Sequence, residues 1–209
     1  MSRPELAALR LGDSPSSWEA LGFTILDGGA WLGGVSIELG ATGPGIVGWR
    51  LRGGDLPASI DGLETSVDPS PPAAGRANVD HPNGATGLDH VVVLTPDFDR
   101  SASVLARFGM PLRRVRQASP TVRQGFRRLG PTILELVEAS ELGPGPARFW
   151  GLVVTVTELD ALAERLGDRL GAVKPAVQPG RRIATLRASA GLGQAVAFIS
   201  PERDRKGVI

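Results

Sequence analysis

Residues 86–101 read TGLDHVVVLTPDFDRS, and the way this stretch folds decides how the rest of the chain is read. HVVVL, residues 90–94, is a β-branched apolar run without polar alternation, the pattern of a strand covered on both faces. A helix signal follows at once: Thr95 is placed to cap it, Pro96 suits its first turn, and Asp97 complements its dipole. Phe98, Ala102, Leu105 and Phe108 then fall near one helical face, and Gly109 is a natural stop. His90, one of only two histidines, stands at the mouth of the strand. It is either a chemical group at a pocket edge or a polar residue ending a buried strand.

Outward from this core, PLRRVRQAS (111–119), VRQGFRRLG (122–130) and TILELVEAS (132–140) read as three strands, completing a β-α-β-β-β unit. The same order returns downstream. FWGLVVTVT (149–157) is a strand, ELDALAERLGDRLG (158–171) a helix capped by Thr157, and AVKPAVQPG, RRIATLRAS and QAVAFIS are three more strands. Upstream stands a shorter version: LAALRL, then a short helix capped by Ser14 with Pro15 in its first turn and Gly22 as its stop, then FTILDG, AWLGG and VSIELG, with GIVGWRLRG beyond. WLGGVSIELG lies over RRLGPTILELV, which places Glu38 over Glu135. A unit of about 50 residues recurring in this way marks a repeat architecture. The expected organisation is a truncated module over 1–53, a Pro/Gly-rich linker over 54–86, full modules over 87–146 and 147–201, and a tail over 202–209.

Composition narrows the function classes. The 209 residues carry a formal charge of +1, so no basic stripe points to nucleic acid. No cysteine is present, which excludes disulfides and thiolate chemistry. The N-terminus lacks the apolar core of a signal peptide, and no apolar run approaches membrane length; a cytoplasmic protein without membrane contact is expected. There is no Gly-x-Ser-x-Gly elbow, and the glycine-rich stretches lack the lysine and strand-to-helix setting of a phosphate-binding loop.

Alternation on the strands suggests a pocket wall. With a tight turn at Gly130-Pro131, Arg128 lies opposite Ile133 and Phe126 opposite Glu135, so Gln124, Phe126, Arg128, Ile133 and Glu135 share a face. That face is a pocket wall or a satisfied polar patch. Arg128 is the expected partner of Glu135, holding its pKa down. Trp150, at a strand mouth, and Arg181 or Arg182, after a Pro-Gly turn, are expected to face this wall from the other module, the arginine gripping a carboxylate or phosphate. His81, beside turn residues, is expected in solvent, and Arg113, Arg123 and Arg127 on a solvated sheet face.

With GLDHVVVLTPDFDRS opening one module and RLGPTILELVE closing it, the chain resembles the vicinal-oxygen-chelate superfamily. That superfamily includes glyoxalase I, methylmalonyl-CoA epimerase, extradiol dioxygenases, and the bleomycin and fosfomycin resistance proteins. The resemblance implies an α+β fold in which tandem βαβββ modules form a curved, mixed-sheet cup. It also implies a divalent metal (Zn, Fe, Mn or Ni) held by a first-strand residue and a fourth-strand carboxylate of each module. Carried onto this sequence, those positions are His90 and Glu135 in one module but Gly151 and Ala197 in the other, neither of which can bind a metal. Glu38 could add a ligand only if the first unit packs beside the second. Two ligands hold metal weakly, so no tightly bound cofactor is expected. The implied function is small-molecule binding, with a degenerate metal-dependent lyase, isomerase or dioxygenase as the enzymatic version. A metal-free sequestering protein of the resistance type, or a non-catalytic scaffold, is the alternative. The expected partner is a small-molecule ligand, with a homodimer allowed.

Overall fold

Short apolar runs separated by glycine-rich turns build two sheets in this computed structural model, which describes residues 3–70 and 79–202. Residues 71–78 of the expected linker and 203–209 of the expected tail lie outside the described residues. The first strand, β1 (Glu5–Leu11), leads into α1 (Pro15–Glu19), where the Ser14 hydroxyl accepts from the Ser17 N–H and Pro15 opens the helix. Then come β2 (Gly29–Leu32), β3 (Val35–Glu38), β4 (Ile46–Arg52), β5 (Ser59–Ile60) and β6 (Leu63–Val67). They form a six-stranded sheet in the order β2-β3-β1-β4-β6-β5. Its central pair, β1 and β4, is antiparallel, and each member is flanked by a parallel strand, β3 and β6 respectively.

Two expectations fail in this region. FTILDG is not a strand, because Phe23 turns into the core against Trp18 (ring centroids 4.7 Å apart) and the Thr24 N–H is taken by His81. The stretch expected as a linker over 54–86 contains the β5–β6 hairpin, held because Ile60 and Leu63 are buried.

The second sheet begins with β7 (Ala85–Thr95), followed by α2 (Phe98–Arg107), β8 (Arg114–Ser119), β9 (Val122–Leu129) and β10 (Thr132–Glu138). The pattern repeats in β11 (Arg148–Val156), α3 (Leu159–Leu166), β12 (Lys174–Pro175), β13 (Arg182–Thr185) and β14 (Ala195–Ile199). Strand order is β12-β13-β14-β11-β7-β10-β9-β8, a mixed sheet of two βαβββ modules joined by the antiparallel pair β7–β11. In each module the fourth strand returns parallel to the first. The six-stranded sheet repeats this plan with one strand fewer on each side and no helix in its second half.

Helix entry differs from the expected caps. Asp97, not Thr95, caps α2, accepting from the Arg100 N–H at 3.0 Å, while the buried Thr95 hydroxyl is engaged with Ser101 and the Asp97 backbone. Glu158, not Thr157, stands at the start of α3; the Thr157 hydroxyl donates to the Gly84 carbonyl instead. Gly109 stops α2 as expected, at a φ of 79° that a side chain would disfavour.

One apolar core joins the two sheets. Leu9, Ile37, Trp49 and Leu51 of the first lie in a single cluster with Val91, Val93, Leu134 and Leu152 of the second. Burying each such side chain contributes roughly 1.5–3 kcal/mol. The sheets therefore stand back to back, and their polar faces look away from each other. His81, expected in solvent, is buried in this junction: its Nδ1 accepts from the Thr24 N–H at 3.0 Å and its Nε2 donates to the Trp31 carbonyl at 2.8 Å. Asp13 adds a polar tie, accepting from Trp18 and from both Gly193 and Gln194 in the second module. No helix among the described residues is long and apolar enough to cross a membrane.

Candidate functional site

The outward face of the eight-stranded sheet curves around a cavity of about 1090 Å³. Its two sides differ because the modules differ. On the first module, pairing of β9 with β10 places Arg128 opposite Ile133 and Phe126 opposite Glu135, so Gln124, Phe126, Arg128 and Glu135 share the cup wall. The second module contributes an apolar patch, where Ile183 and Ala176 pack on Val153 and Ala197 and Pro175 and Val177 continue the surface outward, set among polar residues that include Lys174, Gln178 and Glu202.

A β-bulge shapes the chemical centre. On β11, Val153 pairs with His90 and Val154 with Leu88, which leaves Asp89 as an extra, unopposed residue on β7. Strict alternation would point Asp89 away from His90; the bulge brings both into the cup. The His90 Nδ1–H donates to Asp89 Oδ2 at 2.8 Å. Asp89 Oδ1 accepts from Arg181 Nη2 at 2.6 Å, and Arg181 Nε donates to the Ser200 carbonyl at 2.7 Å. Arg181 is 6% exposed, so this is a buried ion pair carried across the module junction. The other imidazole nitrogen, Nε2, lies 3.3 Å from Glu135 Oε2.

The two carboxyls are driven in opposite directions. Burial works most strongly against the Asp89 charge, but hydrogen bonds from His90 and Arg181 and their charges outweigh it, holding the group below the usual carboxylate range. Burial pushes Glu135 above that range; the positive charges of His90 and Arg116 offset only part, and Asp89 adds to the rise. Asp89 therefore orients the imidazole by accepting its Nδ1–H, and Nε2 faces Glu135 inside the cup.

The remaining expected site residues divide. Arg181 lines the cup but is held by Asp89, whereas Arg182 points outward to Asp160, at 2.6 Å. Arg128 lines the cup without pairing to Glu135; its guanidinium donates to the Pro131 carbonyl at 3.3 Å, and His90 is the group beside Glu135. The expected lowering of the Glu135 pKa is thus reversed. Trp150 is the bulged residue of β11, between Phe149 and Gly151 in the pairing, and stands half exposed outside the cup lining. Glu38 belongs to the other sheet, bonded to Arg50 at 2.9 Å, and cannot join His90. Arg127, expected on a solvated face, alternates onto the core side opposite Leu134 and is buried; Arg123 is fastened to Glu138 and Asp99.

The residues present do not fit the metal that the family resemblance implies. Ala195 pairs with Gly151 as Ile133 pairs with His90, and Ala197 pairs with Val153 as Glu135 pairs with Val92. Gly151 and Ala197 thus hold the two ligand positions of the second module. A Cβ at Gly151 would lie 2.4 Å from the Ala195 carbonyl oxygen, so the close strand approach leaves no room for a ligand side chain there. Among the described residues, no three His, Asp or Glu groups are arranged to hold a metal ion.

No family model and no curated protein matches the chain. Solved structures do. A methylmalonyl-CoA epimerase from Mycobacterium tuberculosis is 21% identical with a TM-score of 0.48, the match covering 57% of this chain and 91% of that one. A variant methylmalonyl-CoA epimerase from Streptomyces coelicolor, solved with 2-nitronate-propionyl-CoA, is 17% identical with a TM-score of 0.45, covering 56% of this chain and 97% of that one. A hypothetical protein from Bacillus halodurans is 15% identical with a TM-score of 0.46, covering 57% and 97%. By its own strand order and the pairing of its βαβββ modules, the segment 85–199 has the glyoxalase-like fold of the vicinal-oxygen-chelate superfamily.

Proposed function

We propose that the cup is a metal-free small-molecule site in which His90 and Glu135 exchange a proton with a bound ligand, an isomerase-type proton transfer. The observation that carries this reading is the Asp89–His90–Glu135 series: Asp89 fixes the imidazole from one side, and Nε2 meets a carboxyl of raised pKa at 3.3 Å on the other. A histidine fixed at Nδ1, with Nε2 facing the cup beside a carboxyl whose pKa burial raises, is the pairing of groups that general acid–base proton transfer uses. Arg116, whose charge reaches Glu135, adds positive potential to the cup wall beside that carboxyl. A cytoplasmic setting and a homodimer belong to this proposal.

The test is solvent deuterium incorporation, followed by NMR, into a panel of carbon acids: 2-oxo acids, 2-hydroxyketones and malonyl-type thioesters, methylmalonyl-CoA among them. The full chain is expected to exchange at least one, and His90→Gln or Glu135→Gln to slow that exchange by about 100-fold or more. No exchange of any member would overturn proton transfer. Binding without exchange would favour a sequestering pocket, the reading that suits the apolar patch around Ile183 and Val177.

A further inference from the structure

We infer that the ligand carries an oxyanion, a carboxylate or a phosphate, gripped by Arg114, Arg116 and Arg128 around Phe126. This names the ligand class of the site proposed above and depends on that proposal for the location of the site, not for the proton step.

On β8 and β9, Arg114 pairs with Phe126 and Arg116 with Gln124, while Arg128 lies two residues further along β9. Alternation puts all three arginines on the cup side, and all three line the cavity. They form an arc around one aromatic ring. The Arg116 guanidinium sits 5.4 Å from the Phe126 ring centre, and its Nε is fixed by the Gln124 amide oxygen at 2.7 Å. Arg128 is steadied by the Pro131 carbonyl. Each contact engages only one of five guanidinium N–H donors.

Among the described residues, no carboxylate stands within ion-pair distance of these three arginines. On the same strand, Arg123 is taken by Asp99 and Glu138; across the cup, Arg181 is taken by Asp89. The open donors are therefore gathered on one wall, and Lys174 lines the cup as well. Guanidinium forks match the oxygen pairs of carboxylates and phosphates.

Spacing limits the size of the ligand. β8 stands two strand spacings from β10, about 10 Å at the backbone, and arginine side chains reach back across part of that distance. An oxyanion on the arginines and a reacting carbon at His90–Glu135 therefore belong to one molecule of a few bonds' length. Its apolar body would meet Phe126 on one side and Ile183 and Val177 on the other.

Calorimetric titration of the full chain with benzoate, phenyl phosphate and the neutral benzyl alcohol tests this. One or both anions are expected to bind at millimolar concentration, more weakly as salt rises, and benzyl alcohol at least about tenfold more weakly. The double variant Arg116→Gln/Arg128→Gln, altered at cup-facing positions outside the core, should lose about tenfold or more of the anion affinity while melting as the parent does. A preference between benzoate and phenyl phosphate separates the carboxylate from the phosphate source. Equal affinity for benzyl alcohol, parent-like binding by the double variant, or no binding of either anion would overturn the inference. Arginine-dependent binding without deuterium exchange would sink the proton-transfer reading alone and leave this one standing.

Discussion

At the residue scale, the decisive group is Asp89. Its carboxylate is shared between the imidazole it orients and a buried arginine, so removing its charge has two separable effects. Asp89→Asn is expected to leave Arg181 uncompensated and cost about 3–5 kcal/mol at neutral pH. Because the folded pKa of Asp89 lies below its unfolded value, its stabilisation is present above the unfolded pKa and lost as pH falls through the folded one. The deficit of Asp89→Asn should therefore shrink toward acid. Glu135 behaves oppositely: its folded pKa is raised, so its contribution is favourable in acid and lost as pH rises through that pKa. Glu135→Gln should accordingly gain in Tm relative to the parent between about pH 4 and pH 7. Thermal melts of both variants across that range check the pair. Parallel pH profiles for the two would show that burial does not separate them.

At the element scale, the point at issue is how strands and helices begin. Thr95 and Asp97 both suit an N-cap, and the helical pattern beyond them cannot choose, because helix starts are uncertain by a residue or two in any reading. The structure chooses Asp97, since Thr95 is drawn inside by Ser101. Asp97→Ala is expected to cost about 1 kcal/mol in denaturant unfolding through loss of the Arg100 N–H acceptor. An unchanged midpoint would show that α2 is held by the packing of Phe98 and Leu105 alone. The β7 bulge is the same kind of decision at higher stakes. Residues 90–94 were legible as a strand, which the structure begins earlier, at Ala85, and the register of β9 against β10 was legible from the Gly130-Pro131 turn. Asp89 was not, because period-two alternation assigns it to the face opposite His90. The one available signal was an acidic residue within a buried apolar strand, which must find a partner.

At the scale of the whole molecule, the six-stranded sheet completes the core rather than forming a separate unit. Trp49 meets Phe149 edge-on at 5.4 Å, and Phe23 stacks on Phe198 at 6.2 Å. A fragment beginning at residue 79 would expose Val91, Val93, Leu134 and Leu152 together. Such a fragment is expected to be aggregated or to lack cooperative unfolding. A monomeric fragment with a sharp melting transition would show that the two-module sheet folds on its own.

The sequence by itself determined the modules. Periodicity, caps and turn glycines are local, and they recur with the same order along the chain, so β7 to β14 were readable without a partner in view. It also determined that Gly151 and Ala197, at the positions where the family resemblance would place ligands, carry no side-chain donor whatever surrounds them. What only the tertiary structure decided were the pairings between groups distant in the chain. Glu135 faces His90 rather than Arg128, Arg181 crosses from the other module to Asp89, Glu38 is carried away on the opposite sheet, and His81 is buried between Thr24 and Trp31. The physical reason is common to all four. A side chain's local pattern states that it is polar and which way a regular strand would turn it. A bulge or a sheet-to-sheet junction decides which charges then share a low-dielectric space, and those charges set the protonation on which the site depends.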